Sequence, residues 1–456
     1  MLRPCGIAER GLCRGDLTPN PLSGAERGPW RRDGIAGNTM IITNWSGNIT
    51  YHAARHHAPT GIAQLQAIVA HAEKIRVLGS RHSFNTIADT AHDLISLDAL
   101  PRAVVVDPAT RTATVSAGMR YGDLGLALHN AGFALHNMAS LPHISLAGAV
   151  ATATHGSGDG LGNLATAVLG LRFVAADGTL HMLTRADADF AGAVVALGAL
   201  GVVTELTLAV EPTYQVRQDC YTGLPFAAAV ESFDQITASA TSVSLFTDWQ
   251  TTQIWRKQRT TADDTTPAPQ AAFGARLAQV PLHPLPDHDP INCTQQLGVP
   301  GPWHERLPHF RYAFTPSAGD ELQAEYLVPR PHAVAALRAV ATLQPQIAPL
   351  LLVSEIRTIA ADDLWLSPCY QQPCIGIHFT LRRDWAAVRQ LLPQIEAALA
   401  PFDARPHWGK CFTMPAATIR SHYPMLPAFC DLVRRYDPQG KFQNGFVGEY
   451  LGAVRV

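Results

Sequence analysis

The segment from Ser145 to Gly158 constrains the fold most, because it is built almost wholly of small and hydroxyl residues. It continues a stretch that starts at Asn137, and it includes Gly148, Ala149, Val150, Ala151, His155 and Gly156. Glycine and threonine make it a poor helix interior. It also holds too few large apolar residues for an ordinary core strand. Small side chains in series let a backbone lie against a flat ligand, whose polar edge is then met by hydroxyls and N–H groups. A tight packing seam between elements is the plainer alternative.

A second stretch points the same way. Ile75-Arg76-Val77-Leu78 reads as a buried strand, and Gly79 breaks it. A Gly-Ser pair just after a strand lets backbone N–H groups approach a phosphate. Ser80, Arg81, His82, Ser83, Phe84 and Asn85 follow, so a histidine sits beside whatever the loop holds. Taken alone, His82 reads equally well as a surface histidine, one of 19 in the chain.

A chain of 456 residues is long for one hydrophobic core, so two domains are expected. Charged residues make up 16%, below the ~25% of average soluble chains, which points to a large buried interior. No apolar run approaches the ~18–20 residues of a membrane helix, so no membrane partner is expected. A formal charge of −2 gives no electrostatic reason to bind nucleic acid. The cysteines are scattered with no Cys-x-x-Cys pair, so neither a zinc site nor a redox dithiol is indicated. No metal is expected, and a reduced, cytoplasmic setting fits. Residues 1–39 are dense in Arg, Gly and Pro, and no apolar stretch follows Arg31-Arg32 to make an export signal. They read as a disordered extension, or an over-called start, ahead of Met40.

Thr60 reads as the cap of a first helix that runs to His71, with Ile62, Leu65, Ile68 and Val69 on one face. A hairpin over residues 103–116 turns at Asp107-Pro108, and a second helix runs over 121–130. Another hairpin spans 168–183, followed by a helix over 190–197 and a strand over 202–210. This order of short strands and helices is α+β, and it lacks the Gly-x-Gly-x-x-Gly unit of a dinucleotide fold. Composition shifts at Glu211-Pro212. Beyond it, strands are expected at 322–328, 351–358 and 375–381, with helices at 332–343 and 385–399 on one face of the sheet. The proline-rich stretch 267–290 reads as a surface excursion.

Glu355 and Arg357 sit two apart on an expected strand and so share a face. His378 and Thr380 do the same on another. Such an acid–base pair is ordinarily a salt bridge at a rim. Here the flanking residues Leu351, Leu352, Val353 and Ile356 are apolar. Charge is costly to bury without a partner or a polar task, which speaks for a site. Lys410, after Trp408-Gly409, would by default be a solvated lysine.

The stretch from Val77 to Asn85 resembles the flavin-attachment loop of the vanillyl-alcohol-oxidase-type FAD oxidoreductases. The block 137–158 resembles their second flavin-contacting segment, in the wording of the alditol-oxidising branch. Further stretches similar to that branch follow in family order from Asn44 to about Val447, among them Ser354-Glu355-Ile356-Arg357-Thr358 and Arg405-Pro406-His407-Trp408-Gly409-Lys410. Arg81 stands where close relatives are expected to carry glycine.

The resemblance implies a two-domain flavoprotein. Residues 40–212 would be an FAD-binding domain of two small α/β subdomains, 213–410 a substrate or cap domain, and 411–456 a segment returning to the FAD domain. FAD would be linked to the chain through His82. Gly79, Ser80, Arg81, Ser83, Phe84, Asn85, Ser140, Ser145, Gly148, Ala149, Val150, Ala151, His155, Gly156, Val202 and His407 would surround it. Ser140, Glu355, Arg357, Thr380 and Lys410 would line a polyol pocket, with His378 close by. The implied reaction oxidises the terminal primary hydroxyl of an alditol, xylitol or sorbitol in type, to the aldose. Hydride passes to the flavin and O2 becomes hydrogen peroxide. Arg357 and Lys410 would stabilise alkoxide charge, while a lysine of lowered pKa, His378 or a water takes the proton. The partners are then a small polyol and O2, with a monomer as the simplest assembly. A sugar-1,4-lactone oxidase or dehydrogenase of the same superfamily is the second reading. A flavin-bearing binding or sensor protein without turnover is the third.

Overall fold

The computed structural model describes residues 34–36, 39–286, 288–314 and 319–452. Most of the expected disordered extension lies outside these. Where the two meet, Gly34–Ala36 pairs antiparallel with Thr39–Ile41, so the expectation of no regular structure before residue 40 fails there.

The first sheet is parallel. Its strands β1 (Arg55–His57), β2 (Ile75–Leu78) and β3 (Asp93–Ser96) lie with β3 in the middle. The helix Ile62–His71 crosses from β1 to β2 and buries Leu65 and Val69. Thr60 is not its cap: Gly61 holds that position, and the Thr60 N–H donates to Gln64 Oε1 at 2.9 Å. Arg76, inside the expected apolar strand, is 3% exposed. Its guanidinium is satisfied by the carbonyls of Ile87, Leu197 and Phe442. Backbone carbonyl dipoles thus hold the buried cation, and in doing so tie β2 to two distant loops.

The second sheet is antiparallel and contains β4 (Val104–Asp107), β5 (Thr112–Ser116), β6 (Val168–Val174), β7 (Leu180–Thr184) and β8 (Val202–Ala209). Its order is β7-β6-β8-β5-β4. The helix expected at 190–197 stops at Val194, and Leu197 takes a left-handed backbone. The late helix Leu426–Tyr436 shares this half's apolar core through Phe429, Leu432 and Val433. The closing turn is pinned by Lys441, whose Nζ donates to Val69 O and Ala176 O at 2.7 and 2.8 Å.

The third sheet has ten strands. Its central ones are β9 (Gln215–Pro225), β10 (Ser242–Thr247), β11 (Thr251–Thr260), β12 (Glu321–Pro329), β13 (Leu351–Ile359) and β14 (Cys374–Arg382), in the order β9-β11-β10-β13-β14-β12. One face is covered by helices, among them Ala333–Ala341 and Trp385–Leu399. Strand alternation decides what goes where. Leu322, Ala324 and Tyr326 on β12 and Ile375, Ile377 and Phe379 on β14 pack into the helix-side core. At ~1.5–3 kcal/mol for each large apolar side chain buried, that face holds the strands in place. The alternate residues are turned to the opposite face.

Candidate active site

That opposite face closes one side of a cavity of about 840 Å³. The other side is formed by the loop 79–84 and the small-residue segment, so the two stretches read from sequence as ligand-facing lie across from the charged sheet face. The expectation that residues 145–158 avoid helix is corrected over Leu146–Ala151, where a short Ala-rich helix forms. The same residues still line the cavity: Ser145, Gly148, Ala149, Val150 and Ala151 all reach it. The proline-rich excursion is also more than surface, since His283, Leu285 and His288 border the cavity.

Ser80 and Ser145 cross-link the two stretches. The Ser145 N–H donates to Ser80 Oγ at 3.0 Å, and the Ser80 N–H to Ser145 Oγ at 3.3 Å. A Cβ at Gly79 would stand 2.4 Å from Ser145 Oγ, so only glycine allows this approach. Arg81 has φ of +64°, the left-handed region that suits the glycine expected there. Both ring nitrogens of His82 are shut off from water without a well-formed hydrogen bond. The ring stacks on Trp45 at 5.4 Å. Burial, then Arg120 and His143, push its pKa down to about 3, so the imidazole is neutral and its nitrogens are free to bond elsewhere. A cavity of this size, lined by a glycine-opened backbone and an unengaged neutral histidine, fits an FAD.

Three expected cofactor contacts do not reach the cavity wall. Asn85 turns away and donates to Trp408 O and Lys410 O, at 2.8 and 2.9 Å. Gly156 packs under the chain at Asn137 and Met138, where a Cβ would meet Met138 O at 2.5 Å. Val202 lies in an apolar core on β8, and its neighbour Val203 faces the cavity instead. His155 and His407 do border it.

The charged pairs are not rim salt bridges: Glu355 and Arg357 are 5% and 6% exposed. Register places Glu355 of β13 opposite His378 of β14, and His378 opposite Glu325 of β12, in one cross-strand row. Glu325 was not singled out by sequence reasoning, yet it is the hub. Its Oε2 accepts from Lys410 Nζ at 2.5 Å, and its Oε1 lies 3.1 Å from His155 Nε2 and 3.5 Å from Arg357 Nη2. Burial alone would raise its pKa; Lys410 and His155 outweigh that and hold it well below the usual carboxylate range. Its signal was available, since Gln323 and Glu325 alternate with apolar residues. His309 was also passed over, and its Nε2 lies 2.8 Å from Glu355 Oε1.

Lys410 donates a second bond, to His378 Nδ1 at 2.7 Å. An ammonium cannot accept, so the proton of the neutral His378 sits on Nε2, 3.1 Å from Thr380 Oγ1. Burial, then Lys410, lowers the His378 pKa to about 4. Burial also lowers that of Lys410, against the pull of Glu325. Arg357 Nη1 donates to Ser140 Oγ at 3.1 Å, which joins the sheet face to the small-residue segment.

The FAD binding domain profile matches residues 54–184, and that of D-arabinono-1,4-lactone oxidase matches 320–451. An alditol oxidase from a Streptomyces species is 48% identical over 91% of this chain and 99% of its own length. The chain belongs to the alditol oxidase family. Membership makes it an FAD-dependent oxidoreductase of the vanillyl-alcohol-oxidase type. Lactone-oxidising relatives are more distant from this alditol oxidase family member. An L-gulono-1,4-lactone dehydrogenase from Mycobacterium tuberculosis is 28% identical over 90% of the chain and 99% of that protein. An L-gulonolactone oxidase from Mus musculus is 25% identical over 89% and 96%. A cholesterol oxidase from Brevibacterium sterolicum has the same fold, with a TM-score of 0.74 at 13% identity over 90% of this chain and 96% of that one. Among the described residues no helix is long and apolar enough to cross a membrane.

Proposed function

We propose that this chain oxidises the terminal primary hydroxyl of a xylitol- or sorbitol-type alditol to the aldose, with O2 reduced to hydrogen peroxide. The observation that carries the reading is the set of buried Arg357, Glu355 and Thr380 with partly buried Lys410, facing the flavin loop across one cavity. Bound FAD supplies the hydride acceptor and, once reduced, the site at which O2 is consumed.

The residues divide the remaining work. Lys410 donates two N–H bonds, to Glu325 and His378, so in its neutral form its lone pair is left for the cavity. It takes the hydroxyl proton, and anionic Glu325 then stabilises the new ammonium. Arg357 donates to the oxygen as negative charge develops. His378, with a pKa of about 4 and Nδ1 already engaged, is a poor base; it orients Thr380. Glu355, Ser140 and Thr380 bind neighbouring hydroxyls, so an analogue lacking one would leave a buried polar group unpaired. His82 would hold the flavin through the covalent link. The chain divides at 40–212, 213–410 and 411–456.

Anaerobic mixing with xylitol tests this. The flavin should bleach, at a rate that rises with pH along a limb set by Lys410 and then levels off. Lys410→Met should remove the limb and slow bleaching ~10²–10³-fold. Bleaching by a sugar-1,4-lactone but not by xylitol would replace the substrate assignment.

A further inference from the structure

Lys257 is a buried lysine that this chemistry leaves without a task. It lies on β11, is 1% exposed and does not reach the cavity wall. Its Nζ donates to Leu307 O at 2.5 Å, to Pro308 O at 3.0 Å and to His309 Nδ1 at 3.0 Å. An ammonium has three protons, and these three acceptors use them all. Because the ionised Glu355 carboxylate can only accept, the proton of the neutral His309 is on Nε2, and Nδ1 is the lone-pair nitrogen that Lys257 meets. That Nε2–H meets Glu355 Oε1 at 2.8 Å. Arg357 Nε approaches the same oxygen at 3.4 Å, which leaves Oε2 of Glu355 for a hydroxyl. The N–H groups of His309 and Phe310 also hold Ser140 O, at 3.0 and 3.3 Å. One short segment, 307–310, therefore touches Glu355 of the large sheet and Ser140 of the small-residue stretch.

We infer that Lys257 is a positioning residue for the polyol: by anchoring Leu307, Pro308 and His309 it fixes the spacing of Glu355 and Ser140. The inference rests on the proposed role of Glu355 as a polyol ligand. Small misplacements of such a group weaken binding without touching the groups at the reacting oxygen.

A double-mutant cycle on the FAD-loaded enzyme with xylitol tests it, reading KM and the limiting flavin-reduction rate separately. Lys257→Met should raise KM about 10-fold or more and change the limiting rate by less than about threefold. In a Glu355→Gln background the same change should add less than about twofold to KM, because its route to the polyol is already broken. Equal penalties in both backgrounds, or an unchanged KM in Lys257→Met, overturn the inference. An unchanged KM in Glu355→Gln alone instead overturns the reading of Glu355 as a polyol ligand. Should Lys257→Met not accumulate as yellow holoprotein, His309→Leu takes its place in the cycle. The same non-additivity is expected there, and additivity is equally fatal.

Discussion

Glu325 anchors the polar centre through four neighbours, and its removal should show in two independent ways. An anion 2.5 Å from Lys410 favours the ammonium. In Glu325→Gln that support is gone, the Lys410 pKa falls further, and the rising limb of the flavin-reduction rate should move to lower pH. A limb that stays put would mean Lys410 is not the proton acceptor. Breaking a buried ion pair on one side also costs about 3–5 kcal/mol, which urea titration of the variant should report. At His82 the expected outcome concerns attachment. Wild-type protein should keep its yellow colour in an acid-precipitated pellet, whereas His82→Ala should bind FAD and release it there. Flavin in the wild-type supernatant would exclude the covalent link. Glu325 was harder to read than Glu355 because its partners come from a neighbouring strand and from Lys410, 85 residues away in sequence.

At the level of elements, periodicity carried most of the information. Residues two apart on β13 and on β14 do share a face, and the helix Trp385–Leu399 forms over the span its pattern implies. Periodicity says nothing about register, and register is what lines up Glu355, His378 and Glu325 across three strands. It also sets Gly376 beside that row. A Cβ there would stand 2.9 Å from Glu325 Oε1 and 3.2 Å from His155 Cε1. Gly376→Ala should therefore push the Glu325 carboxylate off Lys410. The expected result is a flavin-reduction rate at least ~10-fold lower with a stability loss of about 1–3 kcal/mol. A variant that reduces its flavin at the wild-type rate would show that the carboxylate can shift freely. Local chemistry misled at Thr60 and at residues 146–151. In the first case a glycine took the cap; in the second, Leu146, Ala147, Ala149 and Ala151 outweighed the single Gly148.

Across the whole molecule, several histidines are held neutral inside the fold. Burial first, and then neighbouring cations or histidines, lower the pKa values of His304, His309 and His378 to about 4. The unfolded chain protonates these near 6.5. Their folded values are depressed, so the stability they contribute is present above about pH 6.5 and is lost as pH falls toward 4. Buried Glu325 and Glu355, held below the carboxylate range by their cations, add to the loss at the acid end. The melting temperature of the holoprotein should fall steeply from pH 6.5 to 4.5, with more than one proton taken up on unfolding. A flat profile there would mean the histidines are open to water. The FAD-side half should unfold as one unit, because the closing turn and Arg76 tie residues 69–76 to residues 441–442.

The amino-acid sequence by itself determined the strands and helices, the small-residue wall, the flavin loop with its histidine, and the polar residues assigned to the pocket. The first two are local properties, set by spacing, side-chain size or backbone freedom, whereas the flavin loop and the pocket residues were legible through the family resemblance. The tertiary structure alone decided that Glu325 is the counter-ion, that Lys257 and His309 stand behind Glu355, and that Asn85, Gly156 and Val202 face elsewhere. Those outcomes depend on which strands pair and in what register, and on burial deep enough for each charge to require a partner.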